Sequence, residues 1–300
     1  MSIVEQHGFL QVKGNRIVDA QGKPVQLRGM SLFWSQWIGK YYTAETVNWL
    51  RDDWKCTVVR AALAVEPDGY LKNPEVEKKK LFTVVDAAIK AGIYVIIDWH
   101  DHNAHLHTEQ AVAFFGEVAK RYSKVPNVIY ETYNEPLQNA AWATQLKPYH
   151  EAVIAAIRQY DKKNLIICGT RTWSQQVEEA SLSPLKGSNI AYTLHFYSGT
   201  HKQWLRDNAT KALKNGVALF VTEFGTTEAS GNGPVDRDET QKWWEFCDAN
   251  GISWCNWSVA DKNESSAVLK PGASPTGKWK DSEISPSGLF IRDELRRKNR

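Results

Sequence analysis

Ile93-Tyr-Val-Ile-Ile97 is apolar throughout, and Asp98-Trp-His100 follows it without a break. A strand with one wet face alternates apolar and polar residues. A run without alternation belongs to a strand covered on both faces, as in a parallel sheet enclosed by helices. Working outward, further strand candidates are Val25–Met30, Thr57–Ala62, Val128–Thr132, Leu165–Gly169, Ile190–Phe196, Ala218–Thr222 and Ile252–Trp257. Their ends recur every ~32 residues, the size of a strand–helix unit. Helical periodicity fills the intervals: Val76–Ala91 with Gly92 as its stop, Ala111–Tyr122, Tyr149–Tyr160, and Asp238–Ala249 with Gly251 after it. Thr43, Thr108 and Asp236 suit N-caps. Eight strands, each followed by a helix, predict an α/β fold, a single (β/α)8 TIM barrel.

Ahead of the barrel, His7–Lys23 holds two short strand-like pieces around Lys13-Gly-Asn15, read as an N-terminal β-hairpin closing the barrel floor. The expected division is residues 1–24 for this segment and 25–300 for the barrel, together one domain. Asn263–Glu283, rich in Ser, Pro, Gly and Lys, reads as a long loop after the eighth strand.

Composition narrows the function classes. The 300 residues are 42% hydrophobic and 24% charged, which excludes a wholly disordered chain. No apolar stretch approaches the ~18 residues of a membrane span. The net charge of +3 is spread along the sequence, against a nucleic-acid or membrane-surface partner. The basic run Arg296-Arg-Lys-Asn-Arg300 reads as a solvated terminus. Cys56, Cys168, Cys247 and Cys255 form no C-x-x-C pair and read as buried thiols, with Cys247–Cys255 the one pairing left open. No charged-then-apolar leader opens the chain. Thirteen Trp outnumber ten Phe. Most belong in the core, but a flat apolar face with one donor also suits the apolar face of a sugar ring, and about four are expected to meet a ligand.

Residues that act on a ligand sit at the C-terminal ends of barrel strands. Collecting the polar and aromatic residues there gives Arg60, Asp98 and His100, Asn134 and Glu135, Trp173, His195 and Tyr197, Glu223, and Trp257. Glu135 and Glu223, on the fourth and seventh strands, form the two-carboxyl constellation of glycoside hydrolysis. One must donate a proton to the leaving oxygen and the other must attack, so their environments must push the two pKa values apart. Arg60 is the only basic residue at a neighbouring strand end. Placed beside Glu223, it predicts an ionised Glu223 and a protonated Glu135. Residue types alone leave open which Glu attacks.

Asn134-Glu-Pro136, Glu223-Phe-Gly225, Asp98-Trp-His100 and Leu194-His-Phe-Tyr197 together resemble glycoside hydrolase family 5, the cellulase-type retaining enzymes. Gly22-Lys-Pro-Val-Gln-Leu-Arg-Gly-Met30 is similar to that family's first strand, and the resemblance runs from Gly8 to about Leu295. It implies a retaining endo-β-1,4-glucanase cutting internal bonds through a covalent glycosyl-enzyme. Glu135 would be the acid/base and Glu223 the nucleophile. Asn134 would bond the sugar 2-hydroxyl, Tyr197 and Arg60 would hold Glu223, and His195 would support Glu135. His100 would line the glycone subsite, and Trp257 would lie under the reacting sugar. Trp37 and Trp173 read as further sugar platforms, and Lys262 and Glu264 as residues reaching the glycone. Phe33 stands where many relatives carry a His.

The implied partner is a β-1,4-glucan or cello-oligosaccharide, met outside the cell by a secreted monomer without cofactor or metal. β-Mannanases, lichenases and xyloglucanases share the architecture. Two other classes compete. His100, His102, His105 and His107 could hold a metal in a barrel hydrolase, or the protein could bind glycans without turning them over.

Overall fold

In the computed structural model, which describes residues 1–299, the apolar runs become eight parallel strands in a closed barrel. A capped turn, α1 (Ile3–His7), leads into the hairpin β1 (Gln11–Lys13) and β2 (Arg16–Val18), paired antiparallel. The barrel strands are β3 (Arg28–Leu32), β4 (Val58–Ala64), β5 (Tyr94–His100), β6 (Val128–Glu131), β7 (Ile166–Cys168), β8 (Ile190–Tyr197), β9 (Leu219–Gly225) and β10 (Trp254–Val259). β10 closes the ring on β3.

Between and after them run α2 (Ala44–Asp52), α3 (Pro74–Ala91), α4 (Thr108–Tyr122), α5 (Lys147–Tyr160), a four-residue turn α6 (Arg171–Ser174), α7 (Val177–Leu182), α8 (Gln203–Lys214), α9 (Arg237–Asn250) and α10 (Pro286–Lys298). Gly92 and Gly251 end α3 and α9 in the left-handed conformation, where an added Cβ is costly. Thr43 and Asp236 cap α2 and α9 through their side chains. Thr108 does not cap: it is the first residue of α4, and its hydroxyl turns back to the His105 carbonyl (3.0 Å).

Several strands begin and end later than the apolar runs suggest. Val25 and Leu27 lie below the ladder, in a floor cluster with Leu10 and Ile17 of the hairpin segment and Val58, Tyr94 and Ile129 of the barrel. At the other end the ladder continues through polar residues that a hydrophobicity reading takes for loop: β5 reaches His100, β8 reaches Tyr197 and β9 reaches Gly225. The side chains at this mouth therefore stand on rigid backbone. All four cysteines are buried and unpaired. The terminal basic run is exposed at Arg296 and Arg297, as expected, and its charges are paired. Arg296, Arg297 and Lys298 pair with Asp53, Glu294 and Asp248, and Arg300 lies outside the described residues. Among the described residues no helix is long and apolar enough to cross a membrane.

Candidate active site

Arg60 organises the mouth. It lies mid-strand on β4, fully buried, and its donors fan out to β6, β9 and the loop after β6. Nε and Nη2 grip both oxygens of Glu131 (2.7 and 3.1 Å), Nη1 reaches Glu223 (2.9 Å), and Nη2 also reaches Asn134 Oδ1 (2.7 Å). Asp98 Oδ2 is 3.0 Å from the same Nη2. A planar guanidinium with five donors is the one side chain that can serve so many acceptors. Glu223 takes a second bond, from the Tyr197 hydroxyl (2.7 Å). Gly225 makes room for that tyrosine, since a Cβ there would stand 2.2 Å from its ring.

Glu135 lies in the loop after β6, which is pinned by Asn134 N–H to the Trp99 carbonyl (3.2 Å) and Glu135 N–H to the Asp101 carbonyl (3.3 Å). Its carboxyl meets His195 Nδ1 (2.9 Å) and His102 Nε2 (3.1 Å). One oxygen of Glu135, one of Glu223 and a ring nitrogen of His195 all lie within 4.8 Å of one another.

The pKa directions run against the expectation from sequence. For Glu135, burial pushes upward, but hydrogen bonds from His102 and His195 outweigh it and hold the carboxyl down at about 2. For Glu223, burial and then the nearby Glu135 charge push the pKa up, against His195, Arg60 and Tyr197. Burial drives His195 down, yet the Glu131 carboxylate 3.8 Å from Nε2 and the hydrogen bond to Glu135 raise it to about 9. Arg60 fails to hold Glu223 low because it is divided among three buried carboxyls. Burial first, then Glu131 and Glu223 against the opposing pull of Arg60, leaves Asp98 well above the usual carboxylate range. The carboxyl is held down and the imidazole beside it is held up, so the proton that the sequence reading put on Glu135 belongs to the Glu135–His195 pair.

Trp37 and Trp173, with His195 and Tyr197, line a cleft with two recesses. One, about 460 Å³, is lined by His102, Glu135, Trp173, Gln175, His195, Tyr197, His201 and Ala229. The other, about 500 Å³, holds Trp34, Trp37, Glu66, Pro67, Asp101, His102 and Asn103. His102 belongs to both, so the cleft runs from Trp37 past Glu135 to Trp173. Trp173 is half-exposed on α6, where Thr172, Trp173 and Ser174 have φ of 58°, 51° and 59°. Three successive left-handed residues are costly. They are held by Trp173 N–H on the Pro136 carbonyl (2.8 Å) and Ser174 Oγ on the Asn134 carbonyl (2.7 Å), which tie the ring to the Glu135 loop.

His100 is buried, bonded to Asp98 (2.6 Å), stacked on Trp257 (5.3 Å, 2°) and met edge-on by Trp34 (4.2 Å). Trp257 is also largely covered and packs on Phe33 (5.1 Å). Lys262 pairs with Glu264 and lies 5.5 Å over the Phe33 ring, lining a third recess outside the one that holds Glu135.

The His-rich loop does not converge on one point. His100 bonds Asp98, His102 bonds Glu135, His105 bonds the Tyr133 hydroxyl (2.9 Å), and His107 bonds Asp101 (2.8 Å) with Glu66 at 3.4 Å. Three participants escaped the sequence reading: Glu131, His102 as a partner of Glu135, and Thr222. Glu131 did leave a signal, as the one charge in the apolar strand Val128-Ile-Tyr-Glu131, because a buried carboxylate demands a partner. Thr222 left none. Its hydroxyl donates to Glu131 (2.7 Å) and lies 2.8 Å from His195 Nε2.

Comparison with known proteins identifies the family. The family model described as cellulase, glycosyl hydrolase family 5, matches residues 18–263. An endoglucanase of Clostridium saccharobutylicum is 48% identical over 96% of this chain and 65% of its own length. Endoglucanase Z of Dickeya dadantii is 52% identical over 87% of this chain and 62% of its own. The chain thus spans a little under two thirds of these curated relatives. A solved structure from Cytophaga hutchinsonii shares 58% identity with a TM-score of 0.99, covering 100% of this chain and 98% of that one. The catalytic domain of Thermobifida fusca endoglucanase Cel5A shares 34% identity with a TM-score of 0.94 over 99% and 100% of the two chains, and a variant of it is solved in complex with cellotetraose.

Proposed function

The chain belongs to glycosyl hydrolase family 5, and on that premise we propose that it is a secreted, monomeric endo-β-1,4-glucanase that retains anomeric configuration. The observation that carries this reading is the approach of Glu135 and Glu223 to within 4.8 Å in a cleft flanked by Trp37 and Trp173. Retaining enzymes hold their carboxyl groups ~5–5.5 Å apart, whereas inverting ones need ~6.5–9.5 Å to admit water between them. The cleft is complete within one chain, which supports a monomer. A polymeric glucan does not enter a cell, which supports secretion.

Glu223, oriented by Arg60 and Tyr197, attacks the anomeric carbon as the glycosidic C–O bond breaks, and the leaving oxygen takes a proton from Glu135. Water then adds at the same carbon, releases Glu223, and returns a proton to Glu135. Asn134 suits the sugar 2-hydroxyl. Arg60 has only donors, so it fixes Oδ1 toward itself, and the Nδ2 amide group has no partner in the protein.

The source of the proton follows from hydrogen-bond direction. Glu131, gripped twice by Arg60, is an acceptor, so the Thr222 hydroxyl points its hydrogen at it and its lone pair at His195 Nε2. Nε2 must then carry a hydrogen. The Glu135–His195 Nδ1 contact therefore holds one proton, which reaches the leaving oxygen through Glu135. Once it has gone, the Nδ1 lone pair faces a carboxylate. That repulsion makes Glu135 the base the second step needs.

The test is product analysis on carboxymethylcellulose, lichenan and mannan side by side, with NMR of the first-formed anomer. Fastest cutting of the cellulose derivative, a steep early fall in viscosity and a β-anomer are expected. An α-anomer would overturn retention. Tight oligosaccharide binding with no turnover on any of the polymers would establish a non-catalytic binder instead.

A further inference from the structure

Of the thirteen tryptophans, three are strongly exposed: Trp37 (56%), Trp173 (41%) and Trp204 (49%). All three lie on the face of the barrel that carries the carboxyls. Trp37 follows β3, Trp173 follows β7, and Trp204 stands in the first turn of α8, just after β8. Burying an indole is worth a few kcal/mol, so leaving one in water calls for a reason. Trp37 and Trp173 have theirs as the two ends of the cleft. Nothing described so far uses Trp204.

The contacts of α8 fix where Trp204 sits. Residues 204, 208, 211 and 215 share one helical face. Asn208 Oδ1 accepts from Glu178 N–H (3.0 Å), Lys211 pairs with Glu178 (3.3 Å), and Asn215 donates to Ser181 Oγ (2.9 Å). The face therefore rests on α7, and the two helices run in the same direction. Trp204 is one turn, about 6 Å, above Asn208. That places it beyond the start of α7, beside the segment that carries Trp173 and Gln175.

Its ring meets His201 edge-on at 5.8 Å. His201 is itself fixed, accepting the Tyr197 N–H at Nδ1 (2.8 Å) and the Trp243 indole N–H at its carbonyl (2.9 Å). It lines the same recess as Glu135, Trp173 and Gln175. Trp204 thus forms the outer lip of the recess on the Glu135 side, opposite the Trp37 end of the cleft. Glu135 gives its proton to the leaving oxygen, so this is the side that takes the leaving part of the substrate. Of the neighbouring charges, Lys202 pairs with Asp236, and Asp207 accepts a hydrogen bond from Gln203.

We propose that Trp204 is the platform of an outer subsite for a β-1,4-linked glucosyl unit beyond Trp173, on the leaving-group side of the cleft. The proposal rests on the glucanase reading above. A sugar laid on the indole covers apolar surface that is otherwise wet and orders only a side chain already braced by His201. The subsite is filled only by substrates long enough to extend past Trp173, so its contribution depends on length.

The experiment compares wild type, Trp204→Ala and Trp204→Tyr on cellotriose through cellohexaose, with kcat/KM for each length and the cleaved bond located by reducing-end labelling. For Trp204→Ala, kcat/KM on cellohexaose is expected to fall about tenfold relative to cellotriose. Cleavage of cellohexaose should move toward the reducing end, because fewer units are held past the cut. Trp204→Tyr keeps an aromatic face and should recover most of both effects. Equal losses at every length with an unmoved cleavage site would make Trp204 a purely structural neighbour of His201 and overturn the proposal, as would no change at all. A wild type that cleaves none of these oligosaccharides would sink the glucanase reading itself, and the subsite with it.

Discussion

Replacing Thr222 by Val removes one hydroxyl and keeps the shape of the side chain. The structure gives that hydroxyl a single consequence of chemical interest: it obliges His195 Nε2 to carry a hydrogen. In the variant the imidazolium loses its Nε2 acceptor, while the neutral ring is free to keep its only hydrogen on Nδ1, facing Glu135. The cost falls on the doubly protonated ring alone. A hydrogen bond made by a charged donor contributes about 1.5–3 kcal/mol, and each pKa unit corresponds to about 1.36 kcal/mol. The His195 pKa should therefore fall by about one to two units from about 9.

The sign follows from the role of the proton. Activity that needs it is present below this pKa and lost as pH rises through it, so the alkaline limb of kcat/KM moves down by the same amount. The groups facing His195 are Glu135 and Glu131 by hydrogen bond or close approach, and Glu223 by charge. None of them is replaced in the variant. The assay is the pH profile of kcat/KM on cellotetraose, run beside 2,4-dinitrophenyl cellobioside, whose leaving group departs without a proton. Thr222→Val should shift the first profile and spare the second, and Thr222→Ser should restore it. An alkaline limb unmoved by Thr222→Val, or moved equally for both substrates, would refute the proton argument.

Glu223→Ala and Glu135→Ala should each lose nearly all polymer hydrolysis while remaining folded by circular dichroism. Azide should rescue Glu223→Ala to a product of the opposite anomeric form, and retention of more than about a tenth of the rate by either variant would remove that residue from the proposed pair. Arg60→Ala should destabilise the fold by about 3–5 kcal/mol in denaturant titrations, since it strands three buried carboxyls. In whatever remains folded, Glu223 loses the cation that lowers its pKa, so activity should vanish at a higher pH on acidification; an unchanged acid limb would exclude that role. The four buried thiols, with Cys168 pushed up to about 12 by burial, should resist a disulfide reagent in the native protein and all react on unfolding; a fast-reacting thiol would contradict the packing.

The barrel was legible because burial on both faces writes itself into consecutive residues. Ile93-Tyr-Val-Ile-Ile97 is readable without any partner strand, and so is Gly92 at the end of α3. Strand ends were less legible for the same reason. His100, Tyr197 and Glu223 are ladder residues whose side chains are polar, and a hydrophobicity reading stops short of them. The two carboxyls could be picked out from their place at strand ends. Their protonation could not, because it depends on residues that come together only across the barrel. His102 is 33 residues from Glu135, and Thr222 is 91 from Glu131. The N-cap at Thr108 failed on a local competition, since its hydroxyl found the His105 carbonyl instead.

The opposed pKa directions of Glu135 and Glu223 follow from this cross-barrel wiring. Across the cleft, Glu135 and Glu223 repel at short range. Behind it they are joined by an unbroken run of hydrogen bonds: Glu135 to His195, His195 to Thr222, Thr222 to Glu131, Glu131 to Arg60, and Arg60 to Glu223. The acid proton is therefore a property of the run, not of one carboxyl, and moving it changes the field at the other end. In the proposed mechanism, glycosylation of Glu223 cancels one of the negative charges that hold the His195 proton in place. The proton is thus released more readily as the covalent bond forms, which is when the leaving oxygen requires it. After departure of the leaving group, Glu135 faces a neutral imidazole and an esterified Glu223, and its affinity for the proton of the incoming water is set by the Nδ1 lone pair. In the proposed mechanism, one buried cation and one threonine hydroxyl are enough to make the same carboxyl an acid in the first step and a base in the second.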